Sequence, residues 1–185
     1  MSDLLSFSGT ISYLNDRDLS ALAQTSKSAG QNARIILEQV NAARTNNMER
    51  LVLSTNLADA EIVPMRHKNV TYYAALNNNL KMLKYATQMC FPKHKEVTII
   101  AARQNHDAIF KYATEMNYFK DRFVLFHFVI NHNFPMVKYA TEHGYHKLNL
   151  AMYEALKLKI KDKNDHEIFD YMLSQGYTTA RTRWG

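Results

Sequence analysis

The tetrapeptide Lys-Tyr-Ala-Thr occurs three times, starting at Lys84, Lys111 and Lys138, so that each copy lies 27 residues after the last. In a chain without low-complexity tracts, a constant interval makes one piece of local structure recur in one register. Periods of roughly 20 to 50 residues mark stacked supersecondary units. Written from Val70, Val97 and Val124, the segments VTYYAALNNNLKMLKYATQMCF, VTIIAARQNHDAIFKYATEMNY and VLFHFVINHNFPMVKYATEHGY align without a gap. A fourth copy, AMYEALKL from Ala151 and HEIFDYMLSQGY from His166, joins them once five extra residues are allowed in the polar stretch KIKDKND, and a weaker one precedes them around NMERLVLSTNL.

Each unit reads as two short helices. With only 5 Gly and 3 Pro in 185 residues, strand-and-turn architectures are disfavoured. In the second helix of one copy, Ile109, Phe110, Ala113 and Met116 recur at three-to-four residue spacing, and Asp107, Lys111 and Glu115 take the other side. A single such hairpin cannot bury its apolar face, so neighbours must cover it. The expectation is an all-α chain in which a short helical module, residues 1–45, precedes a solenoid of helix-turn-helix units, residues 46–185.

Comparing copies separates core from surface, because a position buried alike in every unit keeps its chemistry. Met82, Ile109, Met136 and Ile168 stay apolar, as do Leu83, Phe110, Val137 and Phe169. Ala86, Ala113 and Ala140 are small enough for close helix approach, with Tyr85, Tyr112 and Tyr139 covering the seam; the alternative is that these tyrosines form a ligand box. Other columns vary. Tyr73, Ile100, His127 and Glu154 share one, Leu76, Arg103, Ile130 and Lys157 another, and Asn77, Gln104, Asn131 and Leu158 a third. These read as one exposed face of the first helices. Tyr73, Asn77, Ile100, Arg103, Gln104, His127, Asn131 and Glu154 are therefore the candidate target-binding residues, since interfaces favour aromatics and Arg; the alternative is a merely solvated face.

The net charge is +6, and residues 1–45 hold four basic and four acidic residues, so the excess lies in the repeats. Inter-unit segments PKHK, FKDR, YHK and TARTR would align Lys93, Lys95, Lys120, Arg122, Lys147, Arg181 and Arg183 into a basic edge attracting acidic partners. Phe91, Tyr118, Phe119 and Tyr145 lie close enough in sequence to stack on bases, but an acidic protein or plain solvation is the preferred reading over nucleic acid.

The repeat resembles the ankyrin repeat, in which a Thr-Pro-Leu-His-x-Ala-Ala helix leads through Gly-His to an Ile-Val-x-Leu-Leu-Leu-x-x-Gly-Ala helix. The likeness is carried by Ala101, Ala102, His106, Ile109, Phe110 and the helix-ending Gly144 and Gly176, over residues 46 to 180. Thr-Pro is absent and the period is shorter, which implies that the projecting hairpin is missing. The resemblance implies a concave partner-binding surface on the first helices. Residues 1–45 resemble an F-box: ISYL (11–14), NDRDL (15–19) and LAQTSK (22–27) follow the family's order and spacing, with Ser2-Asp3 where Leu-Pro is expected and Ala29 in place of a late aromatic. An F-box docks to the Skp adaptor of a Skp/cullin/F-box ubiquitin ligase. The resemblance gives Phe7, Ile11 and Leu14 the first contacts and Leu19, Leu22 and Ala23 the next, with Leu4 and Leu5 standing in for Leu-Pro. The alternative is that these side chains cap the first repeat.

Other classes lose ground on composition. The longest apolar run, FVLFHFVI from Phe123, is too short for a membrane span. MSDLLSFSGT has no secretory-signal pattern and the single cysteine, Cys90, forms no internal disulfide, so a reducing cytosol is expected, that of a host cell if the chain is a pathogen or virus product. The closest histidine pairs, HGYH (143–146) and HFVINH (127–132), lack ligand-spaced carboxylates or thiols, and Cys90 is expected buried and inert. No metal, cofactor or catalytic residue is expected. The reading is a monomeric, non-catalytic substrate receptor that joins a target protein to the Skp adaptor. Its rivals are an ankyrin-like interaction protein without a ligase link and a basic nucleic-acid-binding solenoid.

Overall fold

The computed structural model describes residues 27–59, 66–147 and 166–178, with residues 17, 21, 149, 151, 152, 154, 155 and 157. Among them the regular structure is helical throughout, without strands: α1 (Lys27–Arg44), α2 (Met48–Asp59), α3 (Asn69–Leu76), α4 (Leu80–Gln88), α5 (Val97–Arg103), α6 (Asp107–Glu115), α7 (Val124–Ile130), α8 (Phe134–Glu142) and α9 (His166–Ser174). None of these helices is long and apolar enough to cross a membrane. The chain divides into two compact units, Met1–His94 and Lys95–Gly185. In the first, α1 packs on α2 and α3, and α3 on α4; in the second, α5 packs on α6 and α7, α7 on α8, and α8 on α9.

The 27-residue period is written into the backbone as two left-handed residues per unit. Asn78, Asn105 and His132 end the first helices at φ +51° to +56°; Cys90, Asn117, Gly144 and Gly176 end the second helices at φ +55° to +78°. Each closes the same double bond. The N–H of Cys90 donates to Thr87 O and that of Phe91 to Ala86 O; Asn117 and Tyr118 repeat this on Thr114 and Ala113, and Gly144 and Tyr145 on Thr141 and Ala140. Such paired bonds satisfy carbonyls that a helix end leaves orphaned. The Ala and Thr of the tetrapeptide are thus the acceptors of the turn that ends the helix. Cys90 is exposed, against the expectation of burial, because this turn points its residue outward. Met116 is also more than a third exposed rather than part of the apolar face, since it is the C-cap of α6.

The residue after each turn is aromatic and buried: Phe91, Tyr118, Tyr145 and Tyr177 are 2–3% exposed. Within the second unit their hydroxyls tie successive hairpins. Thr114 Oγ1 donates to Phe110 O, which uses its only hydrogen, so Tyr145 O–H donates to Thr114 at 2.8 Å; Thr141, bonded likewise to Val137 O, receives Tyr177 O–H at 3.3 Å. Burial pushes the Tyr145 phenol up to about 12, the Thr114 bond pulling the other way. The column of Ala86, Ala113 and Ala140 is fully buried, as are Met82, Ile109, Leu83, Phe110 and Val137, while Tyr85, Tyr112 and Tyr139 are half-buried on the seam.

Candidate functional site

What the core leaves outside is most telling on α7. Val124, Leu125, Phe128 and Val129 are buried. On the opposite side Phe123, Phe126, His127 and Ile130 recur at the spacing of one helix face and remain in reach of solvent, Ile130 at 39%. A helix apolar all round is normally enclosed on all sides, so this second stripe calls for a covering group. Its neighbour α5 continues the surface with half-buried Ile99 and exposed Arg103. In the first unit the same positions of α3 are Tyr72, Tyr73 and Leu76, all half-buried, with the Tyr72 and Tyr73 rings edge to face at 5.2 Å. Sequence reasoning named Tyr73 and His127 but missed Tyr72, Ile99, Phe123 and Phe126. The available signal was the run Phe123–Ile130, apolar but for His127 and too long for one buried face of a short helix.

Other expected members of the site have structural duties. Ile100 is 1% exposed, so it belongs to the core rather than to a contact face: a branched aliphatic chain gains more from packing than from solvent. Asn77 Nδ2 donates to Ala43 O at 2.9 Å and Asn131 Nδ2 to Ala102 O at 3.0 Å and Arg103 O at 3.2 Å. Each satisfies carbonyls at the end of the preceding first helix. Arg103 and Gln104 are exposed, and Glu154 is half-buried with a 2.9 Å ion pair to Lys157. His127 carries a buried Nδ1 with no hydrogen-bond partner among the described residues. Burial, then Arg103, holds its pKa below the ordinary 6.5, against a weaker pull from Asp121, so the ring is neutral near pH 7.

The basic edge resolves into two columns with different jobs. Lys120 Nζ donates to His143 O at 2.6 Å and stands 5.6 Å from the centre of the Tyr145 ring; Lys147 Nζ donates to Gln175 O at 2.5 Å and stands 5.4 Å from that of Tyr177. Arg66 does the same in the first unit, with Nε 3.0 Å from Met89 O and its guanidinium over Phe91. These cations cover the C-terminal ends of second helices, where the helix dipole favours positive charge. Arg66, Lys93, Lys120 and Lys147 keep the 27-residue spacing, a signal that would have found Arg66. The other column is Lys68, Lys95 and Arg122, also 27 apart. Lys95 and Arg122 are exposed just before α5 and α7, an end where the dipole disfavours cations. Of the loop aromatics expected to be free for stacking on bases, Phe91, Tyr118 and Tyr145 are buried as described, because they fill the space behind each turn; Phe119 alone of the four is exposed, at 60%.

Leu4, Leu5, Phe7, Ile11, Leu14, Leu19, Leu22 and Ala23, the expected adaptor contacts, lie outside the described residues, as do Arg181 and Arg183. Among the described residues no three His, Cys, Asp or Glu side chains are grouped to hold a metal ion. The chain matches no protein-family model, and no curated protein or solved structure is significantly similar to it.

Proposed function

We propose that the chain is a non-catalytic receptor: its repeats, arrayed as an ankyrin-like solenoid, hold a target protein on the exposed stripe of their first helices, while the F-box-like residues 1–45 dock to a Skp adaptor. The observation that carries the target-binding half is the uncovered apolar stripe of α7, Phe123, Phe126, His127 and Ile130, opposite a fully buried one. The adaptor half rests on the ordered match of ISYL, NDRDL and LAQTSK to the F-box pattern. Such a receptor acts by proximity, raising the target's effective concentration at the ligase, and contributes geometry rather than bond chemistry. A reading as an interaction module whose N-terminus only caps the repeats shares the same stripe. Mixing the full chain with purified Skp adaptor on a sizing column separates the two. A stable complex that Ile11→Asp and Leu14→Asp each abolish is expected; co-elution failing for the unaltered chain leaves the capping reading.

A further inference from the structure

The stripe on α5 and α7 is apolar along its middle and cationic along its borders, which constrains what can cover it. Ile99, Phe126 and Ile130 supply the apolar strip, with His127 neutral among them. Around it stand exposed Lys95, Arg103 and Arg122 against one exposed acid, Glu96. Asp121 is already engaged, its Oδ1 accepting the Phe123 N–H at 2.8 Å. Lys95 and Arg122 gain nothing from the helix ends they precede, and the Arg122 guanidinium lies 4.8 Å from the centre of the Phe123 ring, which sets its charge beside the apolar strip. Lys120, by contrast, is turned to the His143 carbonyl and adds little to this border.

We propose that this surface takes an acidic peptide segment of the target protein, its apolar side chains laid along Ile99, Phe126 and Ile130 and its carboxylates paired with Arg103, Arg122 and Lys95. This rests on the receptor reading and narrows it to one partner chemistry. Apolar contact gives adhesion, and charge complementarity selects among partners and steers encounter. Single-stranded nucleic acid, the other polyanion that aromatic and basic groups suit, is disfavoured because three of the four loop aromatics are packed inside.

The test is to pan random 12-residue peptides displayed on phage against the full chain, then measure synthetic copies of the enriched peptides by fluorescence anisotropy. Enriched sequences are expected to be net acidic with apolar residues. Their binding should weaken at least tenfold in Ile130→Asp and in Arg103→Glu, weaken with rising salt, and stay unchanged in Leu53→Asp, an exposed position on α2. Circular dichroism verifies folding, and Arg103→Glu, altering an exposed side chain, remains informative if Ile130→Asp unfolds. Enrichment of neutral or basic peptides that still lose binding in Ile130→Asp overturns the acidic assignment and leaves the receptor reading standing. Acidic peptides indifferent to both substitutions, or no enrichment, overturn both. Binding of a 20-nucleotide single-stranded DNA probe that Arg103→Glu abolishes, without acidic peptide binding, assigns the surface to nucleic acid instead.

Discussion

The hairpins α5–α6 and α7–α8 occupy one frame, yet differ at about two positions in three, and the differences fall by location. Backbone devices are conserved in kind: Asn105 and His132 are both left-handed, as are Asn117 and Gly144, and the bonds from Tyr118 to Ala113 and from Tyr145 to Ala140 are the same at 2.9 and 3.0 Å. Core volume is conserved only in sum. Phe110 in the first hairpin answers to Val137 in the second, while buried Ala101 answers to Phe128, and the Phe110 and Phe128 rings meet at 4.7 Å. Surface chemistry on the first helices is not conserved, Arg103 facing Ile130 and buried Ile100 facing half-buried His127 in the alignment, whereas the exposed Lys111 and Glu115 of α6 recur as Lys138 and Glu142 of α8. A repeat therefore fixes where the chain turns and leaves the stripe free to specialise.

The comparison breaks most visibly at Phe110. Its ring is fully buried and also lies 5.1 Å from Tyr145 and 5.9 Å from Tyr139, so it joins the two hairpins as well as filling its own. Phe110→Ala should cost about 3–5 kcal/mol, against about 2 kcal/mol for Val137→Ala, where fewer methyl groups are lost. Urea unfolding of both variants measures this. Equal losses would show that Phe110 does not bridge the hairpins.

A smaller effect separates Asn131 from Gln104, its equivalent one repeat earlier. Asn131 Nδ2 reaches across to two carbonyls at the end of α5, Ala102 O and Arg103 O, whereas Gln104 is exposed. Asn131→Ala should lower stability by about 1–2 kcal/mol because both bonds that tie residue 131 to the end of α5 are lost. Gln104→Ala should change it by less than about 0.5 kcal/mol. If the two substitutions cost the same, the Asn131 bonds are not holding the hairpins together.

Much of this was legible before any coordinates, for a physical reason. Three in-register copies reveal which columns tolerate change, so the helical class, the paired short helices and the core columns at Met82, Ile109 and Met136 or at Ala86, Ala113 and Ala140 follow from alignment alone. Variation, however, has two causes that alignment cannot separate. Ile100 varies because its neighbours in the core vary with it, and Arg103 varies because solvent is indifferent. Asn77 and Asn131 stand in a variable column yet carry bonds between hairpins, because a donor at the end of a helix is useful in whichever copies can place it. The basic edge failed to separate for a related reason: Lys120 and Arg122 are two residues apart, and only their partners show that one covers a helix end and the other lies over the Phe123 ring beside the stripe. Cys90 was misjudged because burial was inferred from residue type, while its place in the column of Asn117, Gly144 and Gly176 marks a left-handed turn.

The smallest effect is the most specific to the stripe. His127 replaces an isoleucine of the preceding copy and keeps part of that burial, with Nδ1 enclosed and Arg103 nearby. Both influences disfavour the imidazolium, so the folded-state pKa lies below the unfolded value near 6.5. The unfolded chain then binds the proton first as pH falls, and the stability this ring contributes is whole above about 6.5 and lost progressively below it. Chemical denaturation of the unaltered chain and of His127→Gln, compared from pH 8 to pH 5, isolates the ring from the other seven histidines. The difference between the two should be constant down to about pH 7 and then move against the unaltered chain. Arg103→Gln, which removes the nearby cation, should leave the onset near pH 6.5 and make the loss below it smaller, since only burial then opposes protonation. Parallel curves through pH 5 would mean that His127 meets the proton as readily folded as unfolded, and that the stripe around it is wetter than Phe126 and Ile130 make it.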